Sequence, residues 1–285
     1  MRTWDDPLDT RALSGELSAE RMKSVYCYDC INSTNLKLNE LSEEGAGNGT
    51  VVIANEQSGG RGRRGRSFLS PRDKGIYLSW LLKRREPPER LMEITAWSAV
   101  SVVRAIEAVS GTEPRIKWVN DIVLNKKKIC GILAEMFPGS STGSLNSIII
   151  GIGINVNEEA SFFDGELSEI ASSIYAESGR LTRRAALAAA LIRELDDMSR
   201  DFPDNKEKYL GIYRERSIIA GKSIYVSTAG AMEPANRITE GMENCRRAQA
   251  LGINDDFSLK LKYEDGTVED VNSGEISIRG MYGYV

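Results

Sequence analysis

The sequence predicts an α+β protein: a mixed or antiparallel sheet flanked by helices, followed by a small C-terminal β-barrel. Three observations carry that expectation. Over residues 115–157 short apolar or β-branched segments follow one another across tight turns, as adjacent antiparallel strands do. Two longer stretches repeat their apolar residues at steps of three and four, the helical period. From about Ser217 short strands alternate with turns such as Glu264-Asp265-Gly266, the texture of a small barrel. The expected division is therefore 1–215 and 216–285.

Residues 1–23 read as a short helical lead-in and 25–28 as a strand. Ser33 and Thr34 offer an N-cap to a helix carrying Leu36, Leu38 and Leu41. Residues 43–49, rich in glycine, form a turn. The β-branched run 50–55 reads as a strand and leads into a Gly/Arg loop at 59–66; 75–82 is the next strand. Met92, Ala96, Ala99, Val103 and Ile106 mark one face of a long amphipathic helix. Strands follow at 115–118, 121–124, 128–136 and 147–157. Thr182 is expected to cap a helix whose face holds Leu187, Leu191, Leu195, Met198 and Phe202, and the polar run 201–208 closes the first domain. In the second, 223–226, 258–263, 267–271 and 276–279 read as strands. The polar stretch 228–254 reads as a long loop or insertion.

Composition narrows the chemistry. The 285 residues are 41% hydrophobic and carry a formal net charge of -4, enough apolar residue for a real core and no global basicity to attract nucleic acid or a membrane. There is no histidine, which excludes Ser-His-Asp and Cys-His nucleophile systems and HExxH zinc sites. Of four cysteines only Cys27 and Cys30 form a CxxC pair, and Cys130 and Cys245 show no partner spacing. Free thiols in a reducing cytosol are the expectation. The acidic N-terminus lacks the apolar core of a signal peptide, and no run approaches a membrane span of roughly 18 apolar residues. A cytoplasmic protein is expected.

Two motif matches fail on context. Residues 139–143 fit GxSxG, but without histidine no ordinary triad forms. Gly221-Lys222-Ser223 imitates the end of a phosphate loop, but Arg216 occupies the upstream glycine position and a strand is expected where a helix is needed.

The strong signal is the run Gly59-Gly60-Arg61-Gly62-Arg63-Arg64-Gly65-Arg66, four arginines in six residues of an acidic chain. Glycines let a backbone wrap closely around an anion, and arginine offers planar donors suited to phosphate and carboxylate. Composition alone leaves three readings open: a small-anion site, a solvated basic loop, and an RG-type nucleic-acid patch. No aromatic residues interleave the arginines, which argues against base stacking. Lys117-Trp118-Val119-Asn120-Asp121 then joins two strands by a tight turn. Lys126, Lys127 and Lys128 sit on the next turn. Gly131 interrupts an apolar strand, and Gly151 and Gly153 interrupt another, as glycines do where a ligand lies close or where a sheet packs tightly.

Together these residues resemble the biotin protein ligase family. The resemblance runs in order through Ser33-Thr34-Asn35, Glu56-Gln57, GRGRRGR at 60–66, KWVND at 117–121, KICGILAE at 128–135, GIGINVN at 151–157 and SGEISIRG at 273–280. It implies an α+β catalytic domain with an SH3-like C-terminal barrel, and two steps: formation of biotinyl-5'-AMP from biotin and ATP, then transfer to a lysine of a biotin carboxyl carrier protein. It further implies catalytic roles for Arg63, Lys128 and Asp121. Arg63 would meet the adenylate phosphate, Lys128 the biotin carboxylate and phosphoryl oxygens, and Asp121 would orient the cations or Mg2+. Ser33, Thr34, Asn35 and Gln57 would face the ureido ring, with backbone groups of Gly60, Arg61, Gly62 and Arg63. Gly131, Gly153 and Ile154 would line the apolar slot. Arg64, Arg66, Asn120 and Asn155 would serve the nucleotide, Phe68 would stack near adenine, and Arg279 would reach in from the small domain. Mg2+ is expected with ATP, held mainly by its phosphates. The implied alternative is a lipoate or other acyl ligase of the same architecture. Val119 stands where the family usually has proline. Only about 20 residues precede the first strand, so a DNA-binding domain, and with it repressor activity, is not expected. A monomer or a homodimer fits.

Overall fold

The computed structural model describes residues 6–137, 146–227, 245–272 and 277–280. Helices α1 (Thr10–Ser14) and α2 (Ala19–Met22) lead into β1 (Val25–Ile31), α3 (Thr34–Glu43), β2 (Val51–Gln57) and β3 (Ile76–Arg84). Then come α4 (Leu91–Ser110), β4 (Arg115–Lys117), β5 (Asp121–Leu124), β6 (Lys127–Phe137) and β7 (Asn146–Ile154). Four helices follow, α5 (Leu167–Ile170), α6 (Ile174–Ser178), α7 (Arg184–Asp201) and α8 (Lys206–Arg216). The last strands are β8 (Ser223–Ser227), β9 (Cys245–Ile253), β10 (Leu259–Tyr263), β11 (Val268–Val271) and β12 (Ser277–Gly280).

The first seven strands form one sheet in the order β1-β2-β3-β7-β6-β5-β4. Only β1 and β2 are parallel, joined through α3; every other neighbouring pair is antiparallel. This is the mixed sheet that the sequence predicts. Strand alternation separates two faces. Ile76, Leu78, Trp80, Ile148, Ile150, Ile152 and Ile154 join the large core beneath α4 and α7. Val52, Leu81 and Ile149 face the other way, against Leu38 of α3.

Helix α4 departs from the one-faced pattern expected of it. Val100 and Val102 are as buried as Ala96 and Val103, because α7 and α8 cover the side away from the sheet. Trp97 stacks on Tyr209 of α8 with ring centroids 3.9 Å apart.

Both expected helix caps are replaced by distant residues. Ser33 stands at the N-cap of α3 but makes no side-chain cap; the Thr34 amide donates to Gln57 Oε1 at 2.8 Å. Thr182 does not cap α7 either. Its amide donates to Asn157 Oδ1, and the helix begins at Arg184, whose amide donates to Asp6 Oδ1 at 3.1 Å. A helix N-terminus needs acceptors for its free N–H groups, and tertiary structure supplies them as well as local sequence does. The Arg184 side chain is 1% exposed. It pairs with Asp6 at 3.1 Å and donates to Asn55 Oδ1 and to the carbonyls of Gly75 and Asp6.

Glu158 lies at the same end of the sheet, 1% exposed. Neither carboxylate oxygen has a well-aligned hydrogen bond, and burial pushes its pKa up to about 7. A carboxyl group raised in the folded state binds a proton that the unfolded chain releases. Stability therefore falls as pH rises from the ordinary glutamate range through about 7. Glu158→Gln, which mimics the neutral acid, is expected to gain about 3 kcal/mol on the parent above that range and to match it near pH 4. Thermal midpoints at pH 4.5 and 8 check this.

The remaining strands form a five-stranded antiparallel sheet, β11-β10-β9-β8-β12. β9 is central to it and falls inside the stretch expected to be a loop. Its alternation is weak, because the inward side chains Ala248 and Ala250 are small while Arg246 and Arg247 face out. Residues 228–244 of that stretch lie outside the described residues. Trp118 donates from Nε1 to the Phe257 carbonyl at 2.8 Å, and Arg214 donates to the Ile253 carbonyl, so the small sheet holds the 117–121 turn from behind. Among the described residues no helix is long and apolar enough to cross a membrane.

Candidate active site

A narrow cleft of about 50 Å3 opens over the α3 side of the large sheet. Its floor is flat because glycines face each other across two strands: Gly131 of β6 pairs with Gly153 of β7. A Cβ on Gly131 would lie 3.1 Å from Lys128 Nζ. A Cβ on Gly151 would lie 2.2 Å from Asn35 Oδ1, and one on Gly153 would lie 2.5 Å from the Phe68 ring. Gly153→Val is therefore expected to weaken binding of a flat ligand at least tenfold (about 1.4 kcal/mol), checked by calorimetric titration with the ligand that the sequence resemblance implies.

One end of the cleft is polar and nearly closed. Ser33, Thr34 and Asn35 are each under 5% exposed and are placed by the first turn of α3. Gln57, at the end of β2, accepts from Thr34 and donates from Nε2 to Ser70 Oγ at 3.0 Å. Asn35 receives a hydrogen bond from Ser79 Oγ and donates to Glu135 Oε2. Arg61 reaches over to pair with Glu135 at 3.1 Å.

The other end is cationic. Lys128 Nζ lies 2.7 Å from Asp121 Oδ1 and leans over Gly131. Arg63 donates from Nη1 to Asn120 Oδ1 at 2.9 Å, and Asn120 Nδ2 donates to the Ile132 carbonyl. Asn120 thus ties the strap to β6. Burial lowers the Arg63 pKa from its usual value, opposed by the nearby Asp121 charge. Tyr213 donates to the Val119 carbonyl, and the Trp118–Val119 peptide is cis. Of the three lysines at 126–128 only Lys128 lines the cleft; Lys126, at φ 70°, forms the turn.

The strap folds back on itself. Phe68 N donates to the Gly60 carbonyl and Gly62 N to the Arg66 carbonyl. A Cβ on Gly60 would meet the Phe68 carbonyl oxygen at 2.3 Å, so Gly60 shapes the strap where Arg61, Gly62 and Arg63 line the cleft. Arg64 takes the left-handed conformation, φ 59°, and Arg66 is exposed; neither is a lining residue.

Three assignments change. Ile154 does not face the slot: strand alternation puts its side chain opposite Gly151 and Gly153, in the core under α4. Asn155 is buried, with its amide donating to the Ser172 carbonyl at 2.9 Å, and acts as a strut for the segment that follows β7. Phe68, expected beside adenine, lies in the slot over Gly153 and edge-on to Tyr77, ring centroids 6.4 Å apart. The backbone of Arg279 pairs with Tyr225 in β12; its side chain lies outside the described residues, as does the 139–143 motif. Gly221 precedes strand β8 and no helix, so the phosphate-loop likeness ends there. Cys27, Cys30 and Cys130 are free thiols.

Sequence reasoning missed Ser70, Ser79 and Glu135. Ser79 has a visible signal, a serine in the apolar run of β3. Glu135 has none, since a glutamate near a strand end usually faces water. A wider cavity adjoins the cleft across Arg63 and Ile132, walled by Arg90 and Glu93 of the α4 entry and by Lys206 and Asp256.

Residues 27–155 match the model of the Biotin/lipoate A/B protein ligase family. The chain is 33% identical over 263 residues to the bifunctional ligase/repressor BirA of Bacillus spizizenii, spanning 92% of this chain and 76% of that protein. It is 28% identical over 241 residues to the biotin–[acetyl-CoA-carboxylase] ligase of Mycobacterium tuberculosis, 80% of this chain and 84% of the relative. Among solved structures, the biotin protein ligase of Aquifex aeolicus in complex with biotin and ATP matches with a TM-score of 0.71 and 25% identity, over 90% of this chain and 99% of that one.

Proposed function

Because the chain belongs to the biotin/lipoate A/B protein ligase family, we propose that it is an ATP-dependent biotin protein ligase. The observation that carries this reading is the order of groups along the cleft. Hydrogen-bonding residues close one end, a glycine floor forms the middle, and Lys128 and Arg63 stand at the other end. Biotin has the same order: a cyclic urea, an apolar ring and chain, and a carboxylate.

In the first step a biotin carboxylate oxygen attacks the α-phosphorus of ATP, the bond to the bridging oxygen breaks, and pyrophosphate leaves. Two anions repel, so the step needs fixed positive charge. Lys128 would hold the carboxylate against the phosphoryl oxygens, Arg63 the adenylate phosphate, and Asp121 would orient Lys128. Ser33, Thr34, Asn35 and Gln57 would hold the urea, with Arg61 and Gly62 closing over it. In the second step the lysine amine of a biotin carboxyl carrier domain attacks the acyl carbon, the mixed anhydride breaks, and AMP leaves. The strap over the intermediate would exclude water meanwhile, and Arg64, Arg66, Asn120 and Arg279 would serve the nucleotide.

Among the described residues no three carboxylate or thiol groups converge to hold a metal. Mg2+ would arrive on the phosphates of ATP, which supply its ligands. Residues 1–215 would form the catalytic domain and 216–285 an SH3-like barrel, a division supported by the two separate sheets. ATP as substrate and the free thiols Cys27, Cys30 and Cys130 among the described residues fit the cytoplasm.

The test is substrate choice. A carrier domain should become biotinylated with ATP and biotin, and excess lipoate should not compete. Lipoate lacks the urea, and the closed polar end would be left unsatisfied by it. Adenylation of lipoate and not of biotin would overturn the reading.

A further inference from the structure

Glu135 sits behind the polar end of the cleft, and an ionised carboxylate can only accept hydrogen bonds. Asn35 Nδ2 donates to Glu135 Oε2 at 2.9 Å and more weakly to the Leu133 carbonyl at 3.4 Å. The amide therefore turns its oxygen toward Ser79. Ser79 Oγ, fully buried, lies 2.5 Å from Asn35 Oδ1 and 2.8 Å from Thr34 Oγ1, but it has one proton. Asn35 Oδ1 has no proton to offer, so Ser79 donates there. The shorter contact, to Asn35 Oδ1, draws that proton away from Thr34. Thr34 spends its own proton on Gln57 Oε1 at 3.1 Å, so Thr34 Oγ1 keeps acceptor capacity for a ligand.

We propose that Glu135 is a specificity-determining positioning residue: through Asn35 and Ser79 it makes Thr34 a hydrogen-bond acceptor at the closed end of the cleft. The end so polarised selects a ligand edge that donates N–H, as a cyclic urea does. The inference rests on the biotin reading above. A carbonyl-edged or purely apolar head group gains nothing from it. A carboxamide at position 135 can donate as well as accept, and only the weaker contact to the Leu133 carbonyl then orients Asn35. When Asn35 turns over, the Ser79 proton goes wholly to Thr34 and takes up acceptor capacity there.

Steady-state biotin-dependent adenylation tests this with the full chain, E135Q and E135D. E135Q should raise KM for biotin about tenfold, with kcat within about twofold and the thermal midpoint unchanged. E135D keeps an acceptor-only group at 135, and its KM should stay within about threefold of the parent. A parental KM in E135Q overturns the proposal. So does a joint loss of KM, kcat and thermal midpoint, which marks a purely structural role, or an E135D no better than E135Q. A parent that adenylates no biotin removes the functional reading itself; an active parent with an indifferent E135Q removes only the role of Glu135.

Discussion

Lys128→Ala is expected to slow formation of biotinyl-adenylate roughly a thousandfold. The ammonium group is the cation nearest the glycine floor, and it is held in place by Asp121 at 2.7 Å. Alanine removes the charge that would lie between two anions. It also leaves the Asp121 carboxylate without that partner, so the carboxylate of the substrate meets negative charge where it should meet positive. Arginine should rescue little, because its planar fork cannot occupy the compact position over Gly131. Arg63→Ala should cost about a hundredfold. It should also release the intermediate faster, since the strap loses its tie to Asn120 Oδ1. Single-turnover measurement of adenylate, bound and free, separates the two effects.

Arg184→Ala is expected to destabilise the protein by about 3–5 kcal/mol. The side chain is 1% exposed and joins four separate segments: the lead-in at Asp6, the end of β2 at Asn55, the entry to β3 at Gly75, and α7 itself. Alanine would bury the Asp6 carboxylate without its guanidinium. Replacing both partners by apolar residues, Asp6→Leu with Arg184→Met, should cost clearly less, because no charge is then stranded. Urea midpoints at constant slope report both values.

Much of the catalytic face was legible because its chemistry is written in short runs. The strap at 60–66, the Asn120-Asp121 turn and Lys128 each stand out by residue type. The structure brings Arg61, Arg63, Asn120 and Lys128 to one cleft. The paired glycines were legible as breaks in strand alternation. The face of Ile154 follows from the same alternation, one residue on from Gly153. What stayed hidden depends on distance along the chain. The caps of α3 and α7 come from Gln57 and Asp6, 23 and 178 residues away, and no local pattern announces them. β9 was missed because alanines are its inward residues. Phe68 could be placed in the slot only once the return of the strap onto Gly60 was known.

The most direct test of the charge-pairing account is exchange of labelled pyrophosphate into ATP. The account predicts exchange only when biotin is present, and its near-complete loss in Arg63→Ala and in Lys128→Ala. Exchange that proceeds without biotin, or that survives undiminished in both variants, would contradict it.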